Sequence, residues 1–194
     1  MAIMTESLNT AERVNTQLST ILAGQYPDNR RVTITLAYFN LALDHHSAII
    51  LLFRNGLYGS GLALMRSIFE AMLRAHWVVG VATPEEVDRA AEDHSFDIMG
   101  RVDANRIDEA FRADGFFRQA KTDAWNAMNA YTHSGLRQLV RQFSGGRVEA
   151  AYPDEELLEG LKAATASVLL LGYLLAHITG RDPLPIQALF ERAP

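Results

Sequence analysis

Apolar residues recur at three- and four-residue spacing along nearly the whole chain, and they never alternate over a useful length. Side chains come back to one face every 3.6 residues in a helix and every two in a strand, so this pattern predicts helices and no sheet. Val14, Leu18, Ile21 and Leu22 form one face of a first helix over about 5–23, stopped by Gly24 and Pro27. Asp28 or Asn29 can cap a second helix running to about residue 53, whose end is apolar on nearly all sides. Gly56, Gly59 and Gly61 then suit a tight turn or a close helix contact. A third helix over about 62–79 carries a stripe of Met65, Phe69, Met72, His76 and Val79.

Thr83-Pro84-Glu85-Glu86 reads as a capping box with proline at the first helical position. The helix after it is highly charged, with a thin apolar line of Val87, Ala91, Ile98 and Val102, and is expected on the outside. Gly100 or Asp103-Ala104-Asn105 divides it from a segment carrying Ile107 and Phe111. A fifth helix is expected over about 117–143, ending at Gly145-Gly146, and a sixth from Pro153 to near Gly180. A short last turn over 186–192 follows Pro183 and Pro185. The expected fold is all-α: a single-domain bundle of about six helices with short connections. Residues 1–28 hold the N-terminal helix, about 29–180 the core bundle, and 181–194 a tail with a short helix.

A chain of 194 residues with 48% hydrophobic content buries a sizeable core without staples. It has no cysteine, which excludes disulfides, thiolate metal sites and cysteine nucleophiles. The net charge of −5 argues against a broad basic surface for duplex DNA. A local basic groove stays open, because the basic residues other than Lys121 and Lys162 are all Arg. Ala163 to Gly180 carries no formal charge, but it includes Thr165, Ser167, Tyr173 and His177 and reads as a buried core helix rather than a membrane span. The first residues show no basic region followed by an apolar run, so a soluble, cytoplasmic protein is expected.

Two segments put polar groups where the pattern calls for apolar ones. Arg66, Glu70 and Arg74 lie four residues apart on one face of a strongly apolar helix. They read either as an ion-paired ladder that fixes helix register, or simply the helix's wet edge, or as an Arg that binds an anion beside a Glu that orients it or transfers a proton. On the fifth helix, Asn126, Asn129, His133 and Arg137 form a stripe opposite Trp125, Met128, Thr132, Leu139 and Phe143. A solvent face would carry Glu and Lys; Asn, His and Arg make directional hydrogen bonds, and His can move a proton near neutral pH. A helix-packing network is the alternative.

His45 and His46 are adjacent and point about 100° apart, so they cannot hold one ion together. His76 and His177 read as satisfied core histidines. No His-Glu-x-x-His, Glu-x-x-His or His-x-x-x-His spacing is present, and no phosphate loop or nucleophile elbow, so neither a metal nor a cofactor is expected.

The run from Asn55 to Ala71, with Arg66-Ser67-Ile68-Phe69-Glu70 at its centre, resembles bacterial helical families of unknown function. So does Trp125-x-x-x-Asn129-x-Tyr131-Thr132-His133-Ser134-Gly135. These families are similar to the HEPN superfamily of nucleotide-binding and RNA-cleaving helical domains in toxin and phage-defence systems. The resemblance covers about residues 45–140. It implies a homodimer, with a cleft in which Arg66 binds phosphate and His133 acts as base or acid. Glu70 would hold Arg66 or His133, and Asn129 and Tyr131, with Asn126 and Arg137, would position the ligand. Its Arg-to-His spacing is met here by Arg89 to His94, with Ala90 where the family prefers a polar residue. A non-catalytic homo-oligomeric scaffold and a small-molecule-binding bundle are the competing expectations.

Overall fold

The computed structural model describes residues 2–93, 95–133, 135–144, 147–148 and 151–194. It is all-α. The helices are α1 (Ala2–Ile21), α2 (Arg30–Arg54), α3 (Tyr58–Gly80), α4 (Pro84–Glu92) and α5 (Ala104–Phe111). Then follow α6 (Phe116–Thr132), α7 (Leu136–Val140), α8 (Asp154–Ile178) and α9 (Leu184–Phe190). A 3₁₀ turn, Met99–Arg101, precedes α5, and a minimal antiparallel rung pairs Phe143 with Val148 and Ser144 with Arg147.

Helix α3 is the hub. It packs against α2 and α8 along its length and against α5 and α6 on the remaining side. Helix α8 is buried over much of its surface by α1, α2, α3 and α9. Leu157, Leu161, Val168, Leu169, Leu171 and Leu175 are sealed from solvent there, each contributing about 1.5–3 kcal/mol by leaving water. By length and composition, α2 and α8 are each apolar enough to cross a membrane; in this fold the apolar window of α8 is 61% buried and that of α2 33%. The first helix belongs to the same core, through Leu8, Ala11, Val14 and Leu18.

The caps follow the sequence. Asn29 accepts the amide hydrogens of Arg31 and Val32, and Thr83 and Glu86 close their capping box in both directions. Helix α3 starts four residues before its expected beginning, so Gly59 and Gly61 lie inside it as contact residues. A Cβ on Gly61 would sit 2.6 Å from the Phe53 ring, itself buried and edge-on to Tyr58. Gly61→Ala gains about 1 kcal/mol in helix propensity but overpacks that ring. The expected net loss is about 1–2 kcal/mol, read from the urea midpoint.

Nine α-helices among the described residues exceed the expected six or so, because two long segments break and the short tail helix α9 adds one more. The charged segment ends at Glu92, where Asp93 turns extended, and restarts only at Ala104 under an Asp103 cap. The fifth expected helix stops at Thr132. Gly135 donates its amide hydrogen to the Ala130 carbonyl at 2.7 Å, and a Cβ there would lie 3.1 Å from the Ala130 backbone. Leu139 and Phe143, expected in the core, are therefore exposed, and so is Thr132. His177 is also exposed rather than buried, because it lies on the last turn of α8. His46 and His76 are buried: His46 bonds Asn15 and Thr165, and His76 bonds the Met72 carbonyl.

The two ends of the chain are tied together. The Arg181 guanidinium donates to the carbonyls of Ala23 and Gln25 at 2.7 and 3.1 Å and lies 4.6 Å over the Tyr26 ring.

Candidate functional site

Burial of Leu62, Ile68, Phe69, Met72 and Leu73 fixes the rotation of α3, and this sets Arg66, Glu70 and Arg74 along its edge. The Glu70 carboxylate takes one arginine on each oxygen: Arg66 Nε at 2.6 Å and Arg74 Nη2 at 2.9 Å. All three side chains are mostly sheltered, with 13% of Glu70 exposed. Beyond Arg74 lies Tyr38. Burial pushes its hydroxyl above the ordinary tyrosine value, and the Arg74 charge takes back part of that.

Helix α6 delivers the rest. The Thr132 hydroxyl reaches the Ala63 carbonyl at 3.3 Å and the Met128 carbonyl at 2.9 Å, docking the end of α6 on α3. His133 caps that end, exposed, with its backbone N–H on the Asn129 carbonyl. Its ring meets the guanidinium: Arg66 Nη1 to His133 Nε2 is 2.7 Å. Arginine has no acceptor, so in this contact the guanidinium is the donor and the Nε2 lone pair the acceptor. The Arg66 guanidinium also lies 5.0 Å over the Trp125 ring, and Lys121 Nζ lies 5.4 Å from the same ring.

The structure thus brings Arg66, Glu70 and His133 into one hydrogen-bonded chain. Asn129, one turn before His133, is half-buried, and its Oδ1 has no hydrogen-bond partner among the described residues. Asn126 does not join the chain. It lines an open hollow beside Trp125, Lys121, Arg118 and Asn105, between α5 and α6. Tyr131 turns the other way, buried, and donates to Glu156 of α8, which Arg141 approaches at 2.8 Å. The expected continuous stripe from Asn126 to Arg137 is broken, since Arg137 sits on α7 beyond the Gly135 turn. The side chain of Arg137, and His94 with the Arg89–His94 spacing, lie outside the described residues. Arg89 itself packs over Phe96 on the outer surface.

Trp125, on the expected core stripe, packs partly buried against the core and also stands under the guanidinium. The signal was present: Lys121, Trp125, Asn129 and His133 are four residues apart, one shared helix face. Among the described residues, no group of three or more His, Asp or Glu side chains is placed to hold a metal ion.

This geometry can bind an anion through Arg66, stack a planar group on Trp125 and accept a proton at His133 Nε2. No curated protein and no solved structure matches the chain. One protein family does: its model, described as a family of unknown function (DUF6988), matches residues 39–190. The match takes in α3, α6 and α8, and with them every residue of the Arg66–His133 cluster, so the chain belongs to this family.

Proposed function

We propose that the chain is a HEPN-like RNA- or nucleotide-binding protein of the toxin or phage-defence kind, with metal-independent ribonuclease chemistry at the α3–α6 edge. The observation that carries this reading is the 2.7 Å contact between the Arg66 guanidinium and the His133 lone pair, backed by Glu70 and floored by Trp125. A phosphate oxygen is a stronger acceptor than a neutral imidazole, so a phosphodiester takes Arg66 Nη1 and frees His133 Nε2. The freed lone pair removes the 2′-hydroxyl proton. The 2′-oxygen attacks phosphorus, the 5′-oxygen leaves and takes a proton from water, and a 2′,3′-cyclic phosphate remains. Trp125 offers its face to a base, with Lys121 beside it for the next phosphate. Glu70 holds Arg66 in place. The protein acts in the cytoplasm as a homodimer, without duplex DNA, membrane or cofactor.

The test is cleavage of a single-stranded RNA by the wild-type chain and His133→Ala. Loss of His133 is expected to lower the cleavage rate by about 10²–10⁴, with the melting temperature unchanged because the side chain is exposed. RNA binding should persist and weaken with salt as phosphate contacts do. Absence of cleavage together with no salt-dependent binding contradicts the reading; so does a His133→Ala chain that fails to fold, which makes the residue structural.

A second reading is favoured by one observation. Leu136, Leu139, Val140 and Phe143 are all more than half exposed just past His133. Exposed apolar side chains of this kind serve self-association, and a non-catalytic homo-oligomeric scaffold would use them alone. Under that reading sedimentation shows an oligomer and RNA is ignored.

A further inference from the structure

Helices α6 and α8 both lie on α3, yet they hardly touch each other. Small side chains face each other across the gap, Ala120 and Ala124 on α6 and Gly160 and Ala163 on α8. Such residues ordinarily let two helices close up. Here the floor prevents it, because Met65, Phe69 and Met72 of α3 fill the space beneath. An apolar slot remains, in two connected parts of about 210 and 290 Å³ that share Met65, Asp123, Ala124, Met128 and Ala163. Together they reach the range of small-molecule sites, roughly 300–1,000 Å³. Methionines in its floor and wall, Met65, Met72 and Met128, can adjust to a ligand's shape.

The polar groups of the slot are one-sided. Among the described residues that line it, the charged groups are Asp123, Glu156 and Glu159, with no Arg or Lys. The hydroxyls present are already used as donors: Ser167 to the Ala163 carbonyl and Tyr131 to Glu156. Arg141 offsets Glu156. Asp123 on α6 accepts only from Gln119 in the bonds described, and Glu159 stands exposed on the facing wall. The slot therefore offers hydrocarbon walls and carboxylate acceptors, and its occupant must bring the donors and the positive charge. We infer that the α3–α6–α8 slot is a binding site for a small amphiphilic cation, an alkyl or aryl group carrying an ammonium. Neither Arg66 nor His133 lines it, and the inference stands independently of the ribonuclease reading.

Equilibrium dialysis of the full chain at neutral pH against octylammonium, octanoate and octanol tests it. Octylammonium is expected to bind one per chain, about tenfold tighter than octanoate, the effect of two partly solvated carboxylates. Ala163→Phe, which lays a ring across the slot from its exposed rim, should abolish binding. The pair Asp123→Asn and Glu159→Gln should remove the preference for the cation and leave octanol binding in place. If Ala163→Phe does not fold, Ala124→Met narrows the slot from the other wall and should weaken binding likewise. Equal binding of octylammonium and octanoate overturns the inference. So does octylammonium binding that survives both blocking variants, or a dimer in sedimentation that excludes octylammonium from the slot.

Discussion

Acidification from neutral pH to about 4 is expected to remove several kcal/mol of stability, most of it lost above the range in which ordinary carboxylates titrate. The cause is two buried imidazoles. Burial pushes His46 down to about 4, and it pushes His76 down to about 4 against a small opposing effect of its bond to the Met72 carbonyl. Both are neutral in the fold, whereas in the unfolded chain each takes a proton near its ordinary value of 6.5. The unfolded state then binds more protons in this window, so stability rises with pH across it. The contribution is complete above about 6.5 and is lost as pH falls toward about 4. Each histidine can account for about 2–3 kcal/mol, against about 5–15 kcal/mol for a whole domain. Urea midpoints measured from pH 7 downward should fall steeply, on the scale of the full contribution. His76→Phe fits a site already lined by Phe111 and Phe117, and with His46→Gln it should flatten the profile. A wild-type profile flat between about 6.5 and 4.5 would contradict the assignment.

Replacing Glu70 by Gln should cost about 2–3 kcal/mol, a large effect for one side chain of nearly unchanged shape. The carboxylate is the common partner of Arg66 and Arg74, and both guanidiniums are themselves about three-quarters sheltered. Without it, two cations face a neutral amide that can satisfy only one of them well. The figure lies below the usual cost of breaking a deeply buried pair because the arginines keep some water. Chemical denaturation of Glu70→Gln, Arg66→Met and the double variant gives the coupling energy directly. Additive single effects would show that the 2.6 Å contact between Arg66 and Glu70 contributes little.

The helical starts could be read from the chain because each is a local event. Asn29 and the Thr83–Glu86 box satisfy amides within their own first turn, so neighbouring residues suffice to predict them. The break after Thr132 could not be read that way. Leu136, Leu139, Val140 and Phe143 continue the helical spacing, and only the close approach of Gly135 to Ala130 ends the helix. The same limit governs the cluster. Arg66, Glu70 and Arg74 are visible as a four-residue repeat on one helix, and His133 as a titratable group on another. Trp125 packs against the core as its pattern implies, but its contact with Arg66 was not legible, since that depends on which helix lies across from it. His177 failed for a related reason: the apolar pattern of α8 outlasts the helices that cover it.

The contacts of Arg181 bear on how the molecule opens. One side chain near the C-terminus satisfies carbonyls more than 150 positions earlier, at the exit of the first helix. Fraying at either end therefore strands the same set of acceptors, and the first and last helices should loosen as a single cooperative unit. Amides near residue 20 and near residue 180 would then share one opening rate, although the chain places them almost its full length apart.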